Sequence, residues 1–253
     1  MTTVVVPCYN EEGRLDVAAF KEAVTVRHAW SFVFVNDGSG DRTATLLDEI
    51  RSVAPQRVDV LTLGRNSGKG EAVRHGMVEA VQGGAEVVAF LDADLATPFS
   101  ELDRLVARIA EDEQVEVVLG ARVRRLGAEV RRSPARHFVG RIYGTVAALA
   151  LGVGVYDTQC GAKVFRATPR LSESLERPFS ERWAFDVELL SRLTRGSGGS
   201  GWSTIVEEPL QVWSEHGGSK LGALEAMVAG MELVRIGYRH RRACSSRRRA
   251  LVS

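Results

Sequence analysis

Asp92 and Asp94, separated by Ala93, follow directly on the apolar run Val87–Leu91. Side chains alternate along an extended chain, so residues i and i+2 point the same way and two carboxylates can share one hard cation. Mg2+ or Mn2+ suits such oxygen ligands and takes its remaining ligands from substrate phosphates, as where a diphosphate departs. A helix cap ahead of Thr97-Pro98 would need one acid and leaves the pair unexplained. Asp37 ends the run FVFVN in FVFVNDGSGDRT. A carboxylate there either accepts from the N–H of a nucleotide base or closes an Asx turn with Gly38. Lys69, between Gly68 and Gly70 in LGRNSGKGEAVRHG, either neutralises a phosphate at a helix N-terminus or opens a solvated helix. The spacing is not that of a Walker A loop. Asp186, beside Trp183 and Phe185, is a general base, an orienting group or a helix acid that is buried or capping.

These residues need elements that bring them together. Apolar runs at Thr3–Val6, Phe32–Val35, Val58–Leu63, Glu86–Leu91 and Val115–Leu119 alternate with amphipathic segments near 14–27, 42–53, 69–82 and 99–112. Strands that are apolar throughout, alternating with helices, predict an α/β fold with a mostly parallel sheet covered on both faces. Ligands bind such sheets beyond the carboxyl ends of the strands. Polar clusters follow all five runs, at Pro7–Glu12, Asn36–Ser39, Gly64–Gly70, Asp92–Asp94 and Gly120–Arg122. Five on one edge predict a ligand site rather than five unrelated turns. Beyond Arg122 come a basic segment to Arg141, an apolar helix-like stretch from Ile142 to Tyr156, a helix in RWAFDVELLSRL and a strand near Ile205–Trp213. A glycine- and serine-rich loop at 196–201 lies between the last two.

Net charge of +1 over 253 residues argues neither for nor against nucleic acid, but the arginines crowd at 239–249. Leu221, Leu224, Met227, Val228, Met231 and Val234 recur at helical spacing ahead of them. A basic tail of this kind favours an anionic membrane surface, and it lacks the interleaved aromatics that single-stranded nucleic acid would need. Three scattered cysteines fit neither a disulfide framework nor a cysteine zinc site, so a reducing, cytoplasmic location is expected. No signal peptide is read at the start, and no stretch reaches the length of a spanning helix.

The motifs VVVPCYNEE, VNDGSGDRT, RNSGKGEAVRHGM and DADLATP, in this order, resemble the family 2 glycosyltransferases. DTQCGAKVF, RWAFDVELL and GSKL narrow the resemblance to the dolichyl-phosphate β-glucosyltransferase branch. It implies a Rossmann-like, nucleotide-sugar-binding glycosyltransferase A fold with a mixed, mostly parallel sheet. It also implies one catalytic domain over 1–221, its nucleotide half ending near 121, followed by a helix and basic tail over 222–253. By the same resemblance Asp37 contacts uracil, with Pro7, Tyr9 and Glu11 lining that pocket and Ala93 beside it. Asp92 and Asp94 hold the metal that bridges the diphosphate, and Arg122 and Arg136 grip the acceptor phosphate, as arginine's planar fork allows. Gln159 walls the sugar pocket, Cys160 packs, and Lys220 closes over the diphosphate.

The implied reaction is inverting transfer of glucose from UDP-glucose to a polyprenyl phosphate, with GDP-mannose as donor or a hydroxyl as acceptor the alternatives. Two departures, Ala96 where mannosyl synthases commonly carry Gln and Gly140 where they carry Ser, weigh against a mannosyl synthase.

Overall fold

The computed structural model describes residues 1–131, 133–195, 200–215 and 223–250. Its elements, in chain order, are β1 (Thr2–Cys8), α1 (Val17–Val26), β2 (Trp30–Asn36), α2 (Thr43–Arg51), β3 (Val58–Thr62), α3 (Lys69–Gln82), β4 (Val87–Leu91), α4 (Phe99–Glu111) and β5 (Val117–Ala121). β6 (Glu129–Arg131), α5 (Pro134–Leu151), β7 (Ala162–Arg166), α6 (Pro169–Leu175), α7 (Phe185–Thr194), β8 (Ile205–Pro209), β9 (Val212–Ser214) and α8 (Ala223–Ala250) complete it.

Seven strands form one sheet in the order β3-β2-β1-β4-β7-β5-β8. Every pairing is parallel except those of β7, which runs antiparallel to both β4 and β5. The two-residue period of the strands divides the core. Val4, Val6, Phe32 and Phe34 face Phe20 of α1, Leu47 and Ile50 of α2 and Leu102, Leu105 and Ile109 of α4. Val5, Val33 and Val35 face Val73 and Met77 of α3, Leu189 of α7 and Leu233 and Ile236 of α8. Both faces are therefore covered, and β1 is buried at every position.

Successive strands β1, β2 and β3 step one way from β1, and β4 lies on its other side. That reversal opens a crevice beyond the carboxyl ends of β1 and β4, the place where open α/β sheets bind ligands. Two features differ from the sequence reading. AKVFR of the DTQCGAKVFR segment is the strand β7, inserted between β4 and β5. The single strand near Ile205–Trp213 is two, because β8 pairs with β5 as far as Pro209 while β9 pairs with β6 in a separate two-stranded sheet. Among the described residues no helix is long and apolar enough to cross a membrane.

Candidate active site

The loops after β1 and β4 both turn through a left-handed residue that is not glycine, Asn10 at φ 52° and Leu95 at φ 51°. Each such residue costs of order 1–3 kcal/mol, and strain of this kind clusters at functional sites. The β1 loop is tied to the β2 loop. Asn10 N–H donates to Ser39 Oγ at 3.1 Å, Gly40 N–H to Asn10 Oδ1 at 3.0 Å and Glu11 N–H to Thr43 Oγ1 at 2.8 Å. Asp37, 2% exposed, accepts from Ser67 N–H at 2.7 Å and Gly68 N–H at 2.8 Å. Both its oxygens thus anchor the loop into α3, and a base contact would use their remaining lone pairs. Pro7 is buried in β1, Tyr9 is 43% exposed at its end, and Ala93 is buried between the two acids.

Asp92 is fixed at its backbone, where its N–H donates to Gly161 O at 2.9 Å. Its carboxylate forms a 2.6 Å ion pair with Lys69 at the first turn of α3. Partial desolvation works against that ammonium, but Asp92, aided by Asp186 and Asp94, outweighs it and raises the Lys69 pKa. Asp94 Oδ1 accepts from Ala96 N–H at 3.0 Å. Glu11 stands close enough to feel both acids. Burial raises its carboxyl, Arg14 opposes this, and Asp94 and Asp92 add to the rise. Glu11 Oε2 is buried with no donor among the described residues.

These carboxylates suit a hard divalent cation. Among the described residues no three Asp, Glu, His or Cys side chains are gathered to hold a metal, so a cation at Asp92 and Asp94 would draw its other ligands from a diphosphate. Gly161 makes the room. A β-carbon there would stand 2.2 Å from Asp92 Oδ2.

A second ion pair lies behind the first. Lys163 of β7, 2% exposed, donates to Asp186 Oδ1 at 2.6 Å and to Cys160 O at 2.5 Å. The ammonium groups of Lys69 and Lys163 sit 5.3 Å and 5.2 Å from the ring centroid of Phe90, within cation–π range. Asp186 is buried, which raises its carboxyl even against Lys163 and Lys69. Tyr143 of α5 places in this neighbourhood a buried hydroxyl with no partner among the described residues, and burial and the Asp186 charge raise its pKa. At the start of α7 the buried Glu232 of α8 accepts from Trp183 N–H at 2.9 Å and Ala184 N–H at 2.8 Å.

Arg122, at the end of β5, grips Asp157 through Nε at 2.7 Å and Nη2 at 2.8 Å. Burial would raise the Asp157 carboxyl, but Arg122 overrides it and brings the pKa down to about 2. Asp157 therefore stabilises the fold above its unfolded pKa of about 4, and that contribution is lost as pH falls through about 2. Asp157→Asn is expected to cost about 3–5 kcal/mol in chemical denaturation, since it leaves Arg122 buried without its counter-charge. The difference from the parent protein should shrink as the pH is lowered from 4 to 2.

Gln159 is half-buried beside this pair, its N–H donating to Asp157 Oδ1 at 3.2 Å. Cys160 is buried and unpaired by disulfide, and its thiol is pushed up to about 11 by burial, so it packs rather than attacks. Arg136 lies on α5 with its side chain outside what is described, and Lys220 lies outside the described residues.

The structure thus brings Glu11, Lys69, Asp92, Asp94 and Asp186 to one region and ties Arg122 to Asp157. Sequence reading missed Lys163, Gly161, Tyr143 and Glu232. A lysine inside the apolar run AKVF was the one available signal, because an unpaired ammonium is not buried there without cause.

Comparison with known proteins sharpens this geometry. The family model for "Glycosyl transferase family 2" matches residues 3–170. A dolichyl-phosphate beta-glucosyltransferase of Trichomonas vaginalis is 32% identical over 248 residues, covering 93% of this chain and 70% of that protein. The mouse dolichyl-phosphate beta-glucosyltransferase is 35% identical over 207 residues, 74% of this chain and 61% of its own length. Among solved structures, Mycobacterium tuberculosis glucosyl-3-phosphoglycerate synthase in complex with Mn2+, uridine-diphosphate and glucosyl-3-phosphoglycerate is similar at a TM-score of 0.67 and 18% identity. The match covers 95% of this chain and 79% of that one. At that identity the likeness shows the fold, a glycosyltransferase A fold.

Proposed function

The chain belongs to glycosyl transferase family 2 and is a glycosyltransferase, and from that premise we propose that it moves glucose from UDP-glucose to a polyprenyl phosphate. The observation that carries the reading is the pairing of Asp92 with Lys69 at the β1–β4 crevice, with Asp94 alongside. Acids and a cation together at that place suit a nucleoside diphosphate and its divalent metal. Relatives over most of the chain are dolichyl-phosphate beta-glucosyltransferases, which supports the sugar and the acceptor. A solved neighbour holds uridine-diphosphate with Mn2+, which supports the nucleotide and a divalent ion.

In this reading the nucleoside lies against Pro7, Tyr9, Glu11 and Asp37, and the diphosphate reaches Asp92, Ala93 and Asp94. A bound Mg2+ or Mn2+ would neutralise the charge that builds on the departing diphosphate. Lys69 supplies a second, fixed positive charge for the same oxygens once the diphosphate competes with Asp92 for its ammonium. Gln159 offers a donor and acceptors to sugar hydroxyls. Arg122 spends Nε and Nη2 on Asp157 and keeps Nη1 for the acceptor phosphate, with Arg136 as its proposed companion, while Lys220 is proposed to close over the diphosphate.

A phosphate acceptor is already anionic and needs no base. The Asp186–Lys163 ion pair suits an orienting role for Asp186, because its Oδ1 already accepts from the Lys163 ammonium at 2.6 Å. Asp186→Asn is therefore expected to slow turnover per folded molecule by less than about tenfold, where a lost general base costs about 10²–10⁴. A loss beyond about a hundredfold would make Asp186 the base for a hydroxyl acceptor. Stability is the separate readout. The single change strands Lys163, and the double change Lys163→Met with Asp186→Leu should recover stability.

The donor and acceptor are tested by transfer from labelled UDP-glucose and GDP-mannose to a short-chain polyprenyl phosphate, with Mg2+ or Mn2+ added. Transfer from UDP-glucose alone is expected. UDP should also raise the melting temperature more than GDP does, since a ligand that prefers the folded state stabilises it. The reverse order of either result overturns the donor assignment.

A further inference from the structure

Two helices in contact, α5 and α8, carry the same unexplained pattern on their outer sides. On α5, Phe138, Ile142 and Leu149, with Thr145 between, are exposed at i, i+4 and i+11 spacing. On α8, Met227, Met231, Val234 and Tyr238 are exposed at i, i+4, i+7 and i+11. All seven apolar side chains are more than half exposed, although a helix in a globular protein turns its apolar stripe inward. Each helix has an inward stripe as well. Ala147, Ala150 and Leu151 of α5 and Ala229, Leu233 and Ile236 of α8 are buried. The helices meet where the carboxyl end of α5 lies against the middle of α8, with Gly237 against Ala150 and Arg241 Nη2 donating to Leu149 O at 3.2 Å. Leu149 and Tyr238 therefore bring the two outer stripes close together.

The charge around these stripes has one sign. α5 contains no Asp or Glu. α8 contains Glu225 and Glu232 against seven arginines, and Glu232 is turned inward onto the amides before α7. Arg235 and Arg239 flank the α8 stripe and share Glu181, which is 3% exposed. Arg242 lies over the Tyr238 ring at 5.7 Å. Large apolar side chains in the middle with arginines at the border fit the boundary between acyl chains and anionic headgroups. Neither helix is built to span it.

We propose that the outer face of α5 and α8, rather than the basic tail alone, docks this protein on an anionic lipid bilayer. Phe138, Ile142, Leu149, Met231, Val234 and Tyr238 enter the interface, and the α8 arginines meet the headgroups. The choice of a bilayer rests partly on the lipid acceptor proposed above. It gives that reading a geometry, since the inner side of α5 carries Tyr143 beside Asp186 while its outer side faces the lipid. An acceptor phosphate would then approach the site along the helix that rests on its own membrane.

The test is flotation of the full chain with vesicles of phosphatidylcholine alone and with about 30% phosphatidylglycerol added. Binding to the anionic vesicles is expected, with loss at roughly 0.5 M salt. Ile142→Asp with Val234→Asp should bind at least about tenfold less. These positions are exposed, so the variant should keep the parent melting temperature and its transfer rate to a short, water-soluble polyprenyl phosphate. Arg241→Gln with Arg242→Gln, a second variant, should lose binding to the anionic vesicles while leaving any weak binding to phosphatidylcholine unchanged. The proposal fails if the parent protein floats with neither vesicle or if the aspartate variant floats as the parent does. It fails equally if light scattering shows a concentration-dependent dimer that the aspartates abolish, which assigns the face to a second copy. Normal flotation without transfer to the short acceptor would instead defeat the proposed acceptor and leave the docking face standing.

Discussion

Gly161→Ala is expected to lower the transfer rate by about a hundredfold or more, because a shift of about 1 Å in a reacting constellation costs that much. The new β-carbon would stand 2.2 Å from Asp92 Oδ2 and 2.5 Å from its Cγ. The atoms that must yield belong to a short side chain whose backbone N–H is already held by Gly161 O. Asp92 would rotate off Lys69 and away from Asp94. Residue 161 is not in the left-handed region, so the effect comes from occupied space and not from backbone strain. Melting temperature should change little beside the change in rate. Steady-state rates at saturating donor and divalent cation, with a melting curve, check this. A variant with the parent rate would show that Asp92 need not stay where it is.

Asp92→Asn and Asp94→Asn are each expected to reduce transfer by about a thousandfold, the scale of losing a ligand of the divalent cation that would stabilise the departing anion. Their effect on stability should have the opposite sign. Glu11, Asp92 and Asp94 are mutually repulsive, and Glu11 already has its carboxyl raised in part by the other two charges. Removing one charge relieves that repulsion, so the melting temperature should hold or rise, most clearly for Asp94, which feels Lys69 but does not share the ion pair that Asp92 makes with it. Residues retained at a cost in stability are there for function. Near-parental turnover in either variant would overturn the metal assignment, whatever the stability data show.

The first half of the chain was easy to read in sequence because β1, β2 and β4 are buried on both faces. Continuous apolar runs such as Val87–Leu91 have no competing explanation, and the polar residues ending them mark one edge of the sheet. The second half was harder. β7 lies between two strands that precede it in sequence, and it runs against them, a long-range pairing with no local signature. Lys163 and Asp186 are separated in sequence and meet only because β7 lies beside the start of α7. Arg122 and the DTQCG segment that Asp157 opens both stand out in the sequence, but no spacing rule links the two side chains. Glu232 lies in a helix whose apolar pattern accounts for itself, which hid a carboxylate holding the amides ahead of α7.

The placement of β7 also has a consequence for how the protein comes into being. During synthesis β1, β2, β3 and β4 can assemble in order, each parallel strand arriving beside one already made. β4 then remains a sheet edge, with its outer amides and carbonyls unpaired, until Arg166 has left the ribosome. An exposed apolar edge is a template for pairing with the wrong chain. α4, β5, β6 and α5 are made in that interval, and none of them pairs with β4 in the finished sheet. Asp92 gains its backbone partner Gly161 only when β7 slots in. Closing the vulnerable edge and completing the acid pair are therefore the same event, so a nascent chain has no finished active site until its most exposed strand is protected.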